Sequence, residues 1–242
     1  LLRQFAAEKL AAVAPDQTET QARHTAFYLQ QVARQEQALI GPAQRVALDA
    51  ISAEIDNVQA AWVSAANQRH LTQIAGALPA FYWFFQIRSR YAEGEERFSY
   101  ALHQLDQAVT PMDENEFGRL RHQLLARRGA LRLAQGELDA AEADFSVVLR
   151  SSADPRELAF VHAQLGNGAR WRGNRPAAQA ALQQSLALAR TSGDHQQMAQ
   201  ALLGLADIAS SFSQFAEGER FAREALALCR QLQRPDLTAS VV

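Results

Sequence analysis

At 242 residues, with 48% hydrophobic and 21% charged side chains, the chain is long enough to bury a substantial core as one elongated domain or two modules. A formal net charge of −2 gives no general attraction to nucleic acid or to an anionic membrane, so neither is expected as a direct partner. No apolar run approaches the ~20 residues that a membrane-spanning helix needs, and no signal peptide is visible. The single Cys229 excludes an internal disulfide and suits a reducing cytoplasm. Richness in Ala, Leu, Gln, Glu and Arg, with few Val, Ile or Thr, favours helix over strand throughout.

In chain order, Leu1–Val13 reads as an amphipathic helix ended by Pro15 and Asp16. A second helix is expected from about Glu19 to Leu39, before the break at Gly41-Pro42. Leu48, Ile51, Ile55, Val58, Trp62 and Ala65 then form one apolar stripe at steps of three and four, predicting a single helix that packs on the helix before it. The segment from Leu71 to Ser89 holds five consecutive aromatics, Phe81-Tyr82-Trp83-Phe84-Phe85. Such a run covers every face of a helix, so it serves either as a hydrophobic joint between the N-terminal helices and the rest of the chain or as a platform for a ligand. Thr110–Glu116 reads as a polar connection.

Along the chain a pattern recurs. Gly136, Leu138, Ala141, Phe145 and Leu149 come back as Gly173, Arg175, Ala178, Leu182 and Leu186, and as Ser213, Phe215, Gly218, Ala222 and Leu226. An earlier copy is Ser89, Tyr91, Gly94, Phe98 and Leu102, and the last slots are 47, 37 and 40 residues apart. The last three copies each have an upstream helix with its own small residue, Gly129, Gly166 or Gly204. A period of this size marks a stack of helix pairs, none of which buries its apolar face alone. The pattern resembles tetratricopeptide repeats in their looser, longer form. The resemblance implies an all-α chain, an α-α superhelix over residues 76–242 with about four repeats and a truncated fifth from Pro235, preceded by helical segments. Helix pairs are expected at 75–109, 118–150, 156–191 and 194–232.

Three short segments carry a second resemblance. Leu1, Arg3, Phe5, Ala6, Glu8 and Leu10 of LLRQFAAEKL, then Arg23-His24-Thr25-Ala26-Phe27-Tyr28-Leu29, then Glu54-Ile55-Asp56-Asn57-Val58-Gln59-Ala60-Ala61-Trp62 stand in that order. They are similar to the end of the winged-helix region and the adjoining linker of STAND-class signal-transduction ATPases, with Gln59 where that family has Arg. The resemblance implies that residues 1–14 close a winged-helix-like region and that 15–75 are a helical linker. It further implies a bacterial regulator, often of transcription, whose N-terminal NTPase lies outside this sequence. On that reading the polypeptide is a piece of a longer protein.

The sequence carries no familiar catalytic or cofactor signature. A P-loop needs Lys followed by Ser or Thr after a glycine-rich loop, whereas the only lysine, Lys9, is followed by Leu10. The six histidines never form H-E-x-x-H, one cysteine builds no zinc site, and G-x-S-x-G is absent. No enzyme activity, cofactor or metal is therefore expected. A binding surface is the remaining possibility. In tetratricopeptide superhelices the first helix of each pair lines the concave groove, which implies ligand contacts from Trp83, Gln86, Asn167, Arg170 and Trp171, with Ala130, Leu133, Leu205 and Ile208 at matching slots. Asn167 resembles a peptide-binding Asn of that fold, and Arg170 offers a charge-assisted bond to a carboxylate. The competing reading packs Trp171 between repeats and pairs Arg170 with a nearby acid. The expected function is a regulatory sensor module for a protein, peptide or small-molecule inducer. A free-standing adaptor or an oligomerisation scaffold is the alternative.

Overall fold

The computed structural model describes residues 14–107 and 114–232, which contain helices and no strand. The expectations for Leu1–Val13, the start of the Thr110–Glu116 connection and the truncated repeat from Pro235 lie outside the described residues. In chain order the helices are α1 (Ala14–Ala33), α2 (Glu36–Leu39), α3 (Gln44–Ala53), α4 (Ile55–Gln68), α5 (Leu71–Ile87), α6 (Tyr91–Asp106), α7 (Glu114–Ala134), α8 (Leu138–Ser151), α9 (Pro155–Trp171), α10 (Arg175–Ser192), α11 (His195–Ser211) and α12 (Phe215–Gln231). None is long and apolar enough to cross a membrane.

From α5 onward the helices pack in neighbouring pairs, α5–α6, α7–α8, α9–α10 and α11–α12, close to the expected spans. The second helix of each pair also touches the first helix of the next. The first helices touch one another as well, α5 on α7, α7 on α9 and α9 on α11. Local chemistry explains the punctuation. Gly136 (φ +82°) and Gly173 (φ +70°) turn their pairs in the left-handed region, where a side chain is disfavoured. Ser89 and Ser213 hold the same slots at φ +54° and +59°. Asp154, Asn174 and Asp194 cap α9, α10 and α11 with side-chain oxygens, and Pro155 fits at the start of α9, where its missing N–H costs nothing.

Small residues sit where helices approach most closely. Ala141 and Ala178 are fully buried, and a Cβ on Gly129 would stand 2.6 Å from Phe145 Cε1. On Gly166 it would stand 2.7 Å from Leu182 Cγ. Ala178→Leu is therefore expected to cost about 1–3 kcal/mol by overpacking. The control is the same change at Ala177, an exposed residue on the same helix as Ala178; Ala140 is itself half-buried and does not serve. Urea denaturation of the two leucine variants checks the point; equal losses at Ala177 and Ala178 would refute this register.

The N-terminal helices depart from the sequence reading in two places, while Pro15 and Asp16 stand in the first turn of α1, where proline is tolerated. The helix expected to run from Glu19 to Leu39 breaks after Ala33, and α2 comes next as a single turn. The apolar stripe from Leu48 to Ala65 is divided at Glu54 between α3 and α4, although most of it stays buried: Leu48, Ile51, Val58, Trp62 and Ala65. The Arg23–Leu29 and Glu54–Trp62 segments pack on each other. Asn57 Nδ2 donates to Tyr28 Oη at 3.1 Å, and Thr25 Oγ1 donates to Ser64 Oγ at 2.9 Å in a buried pair.

One hydrophobic cluster runs from α1 into α9, and a second joins α10, α11 and α12. The heart of the first is aromatic. Phe81 lies 5.1 Å from Trp62, 4.4 Å from Phe85 and 6.4 Å from Phe98, ring centre to ring centre. All four rings are inaccessible to solvent, and Trp62 Nε1 donates to the Arg97 carbonyl at 3.0 Å.

Candidate functional site

The first helices of all four pairs border one cavity of about 420 Å³. From α5 come Pro79, Tyr82 and Trp83; from α7, Arg119, Gln123 and Arg127; from α9, Glu157 and Phe160 with Asp154 and Arg156 at its N-terminus; from α11, Gln196, Gln197 and Gln200 with Asp194. Glu36 of α2 completes the wall. Steps of three and four along α7, α9 and α11 turn one stripe of each helix toward the cavity. Asp154, Arg156, Glu157 and Phe160 recur 40 residues later as Asp194, Gln196, Gln197 and Gln200, so the sequence period extends to the cavity wall.

Arg127 is the central side chain. Its guanidinium makes a bidentate pair with Glu157, at 2.8 and 3.2 Å, and lies 3.9 Å from the centre of the Phe160 ring. The Tyr82 ring is 5.8 Å from the same guanidinium and meets Phe160 edge-on at 5.8 Å. Both partners of the pair are shielded, with side-chain exposures of 16% for Arg127 and 5% for Glu157, and each satisfies the other's charge. Burial pushes the Tyr82 hydroxyl up to about 12, so it stays protonated across the physiological range. Burial likewise raises the pKa of Glu36, with the Arg127 charge pulling the other way.

The five site residues expected from the sequence are not brought together. Trp83 is half-buried and borders this cavity. Arg170 and Trp171 border a different one of about 300 Å³, beside Arg175, Ile208 and Phe212, where the pair turns α9–α10 and α11–α12 come close. Arg170 forms an ion pair with Asp207 at 2.7 Å, and Trp171 is 62% exposed rather than packed between helix pairs. Both lie near the end of α9, beyond Gly168, the point at which that helix meets Leu133. Gln86 and Asn167 are partly buried and border neither cavity. Ala130, Leu133, Leu205 and Ile208, expected to face the groove, are buried and none borders the larger cavity, although Ile208 touches the smaller one. The stripe that does face it begins nearer the N-terminus of each first helix. The residues missed, Arg127, Glu157 and Phe160 foremost, had one signal in the sequence, the return of the Asp154–Phe160 spacing at Asp194–Gln200.

The aromatic run divides between the two roles weighed for it. Phe81, Phe84 and Phe85 are core, while Tyr82 and Trp83 reach the cavity wall.

Among the described residues, no group of three or more His, Cys, Asp or Glu side chains is arranged to hold a metal ion. In comparisons with known proteins, the chain matches no family model and no curated protein at a significant level.

Proposed function

We propose that this chain is a non-catalytic binding module of stacked helix pairs, which takes an inducer or a segment of a partner protein in the cavity between its first helices. The observation that carries the reading is the cavity itself. Five helices contribute to it, it combines aromatic faces with amides and charges, and its volume lies in the range of about 300–1,000 Å³ typical of ligand sites. We further propose that the pairs are tetratricopeptide-like and that the parent is a STAND-type regulator, in which α1 to α4 link an NTPase to the repeats. Support comes from the recurrent slots and from the mutual packing of the two linker-like segments through Asn57 and Tyr28. In such a sensor the ligand must bind one state of the whole protein better than the other, since a ligand bound equally by both shifts nothing.

The test is a thermal-shift screen of small molecules, together with selection from a displayed peptide library, on the purified chain. Gln123→Trp is designed to fill the cavity without adding charge, and Phe215→Ser alters an exposed aromatic at the start of α12 instead. Selected ligands are expected to lose binding to the first variant and keep it with the second. Ligands indifferent to Gln123→Trp would overturn the cavity as the site. For the regulatory half, the same ligands should change nucleotide exchange by the parent protein carrying its NTPase, and unchanged exchange would sink that half alone.

A further inference from the structure

The charges of the cavity are not evenly distributed between interior and rim. Arg127 is already neutralised by Glu157. Glu36, Asp154 and Asp194 are each partly buried, and none of them forms an ion pair among the described residues. The two remaining arginines of the wall, Arg119 and Arg156, are exposed and solvated. The two helix N-termini that meet here offer little to an anion. Asp154 Oδ1 accepts from the Arg156 N–H at 2.9 Å, and Asp194 Oδ1 accepts from the Gln197 N–H at 3.0 Å, so their own carboxylates occupy the place an anion would take. The uncompensated charge inside is therefore negative. A carboxylate withdrawn from water without a counter-ion is costly; for Glu36 burial outweighs the opposing pull of Arg127, which is already shared with Glu157, and a cation entering the cavity offsets what remains. Trp83 adds a half-exposed ring as a flank, because Tyr82 already turns to Arg127 and Phe160.

We infer that the cavity receives a cationic nitrogen group, an alkylammonium or a guanidinium, held by the Glu36 carboxylate with Asp154 and Asp194 nearby and flanked by the Trp83 ring. This rests on the cavity being the ligand site. The group has two possible sources, a small diffusible amine or guanidine and an arginine or lysine side chain of a partner protein.

Calorimetric titration of the purified chain with four probes separates these cases: agmatine, a capped pentapeptide with a central arginine, and the same peptide with citrulline or with glutamate. The arginine peptide or agmatine is expected to bind on the order of tenfold tighter than the citrulline peptide, the contribution of one charge-assisted hydrogen bond. Tighter binding of the arginine peptide than of the citrulline peptide, with agmatine silent, would point to the partner side chain; agmatine alone would point to the small molecule. Glu36→Gln should remove most of the arginine advantage while the helical circular dichroism signal and melt are retained. Asp154→Asn, which keeps an amide oxygen to cap α9, should remove a smaller part. Equal binding of arginine and citrulline, preference for glutamate, or no binding by any probe would overturn the inference. If the citrulline or glutamate peptide binds as well as the arginine peptide and Gln123→Trp abolishes that binding, only the charge assignment falls. If binding of every probe survives Gln123→Trp, the cavity falls as the ligand site too.

Discussion

Arg127→Ala is expected to destabilise the chain by about 3–5 kcal/mol, the usual result of leaving a buried charge without its partner. Glu157 has a side-chain exposure of only 5%, and among the described residues its carboxylate is held by two hydrogen bonds from Arg127. Removing the guanidinium leaves that carboxylate in a low-dielectric site and also strips the cation from the Phe160 ring at 3.9 Å. The expectation differs sharply for the double variant Arg127→Met/Glu157→Leu. It removes both charges and replaces them with apolar volume, and exchanges of that kind are often neutral or stabilising. Urea denaturation of the single and double variants measures both, and a double variant as unstable as the single one would show that the pair, rather than the orphaned charge, carries the stability. The outcome bears on function because Arg127 joins α5, α7 and α9 around the cavity. A ligand that disturbs this pair would be felt by three helices at once.

Phe81→Ala should cost a comparable amount, about 3–5 kcal/mol for truncating a fully buried phenylalanine. The ring bridges α4, α5 and α6 through Trp62, Phe85 and Phe98, and the cavity left behind is walled by other rings that cannot all collapse into it. Trp83→Ala, two residues along the same helix, is expected to cost less than half as much, since Trp83 is half-buried at the cavity wall. Guanidinium melts of both variants decide the matter. Equal losses would make the whole run core and remove Trp83 from the ligand surface.

Much of the architecture arises from short-range information. A left-handed turn selects Gly136 and Gly173, a capping oxygen selects Asp154, Asn174 and Asp194, and helical spacing selects Ala141, Phe145, Ala178 and Leu182. Each preference depends on residues within a few positions of one another, so the helix pairs are legible as soon as the 37- and 40-residue recurrences are seen. The break at Glu54 was not legible, because an apolar stripe continues at the same spacing whether the helix is whole or divided.

The candidate site depended on contacts over longer distances along the chain. Arg127 and Glu157 are 30 residues apart, and Arg170 and Asp207 are 37 apart. Nothing local tells one arginine that it will be buried against a carboxylate and a ring and another that it will sit in solvent beside an exposed Trp171. The packing of successive first helices on one another decided which stripe of each faces the cavity. It buried Ala130, Leu133, Leu205 and Ile208 and turned Gln123, Arg127, Glu157 and Phe160 inward. It also split the aromatic run, sending Phe81 and Phe85 to the core and Tyr82 and Trp83 to the wall. Amino-acid spacing determined that these helices exist and pair; the rotation of each about its axis, a collective result of packing along the stack, determined which side chains are available to a ligand.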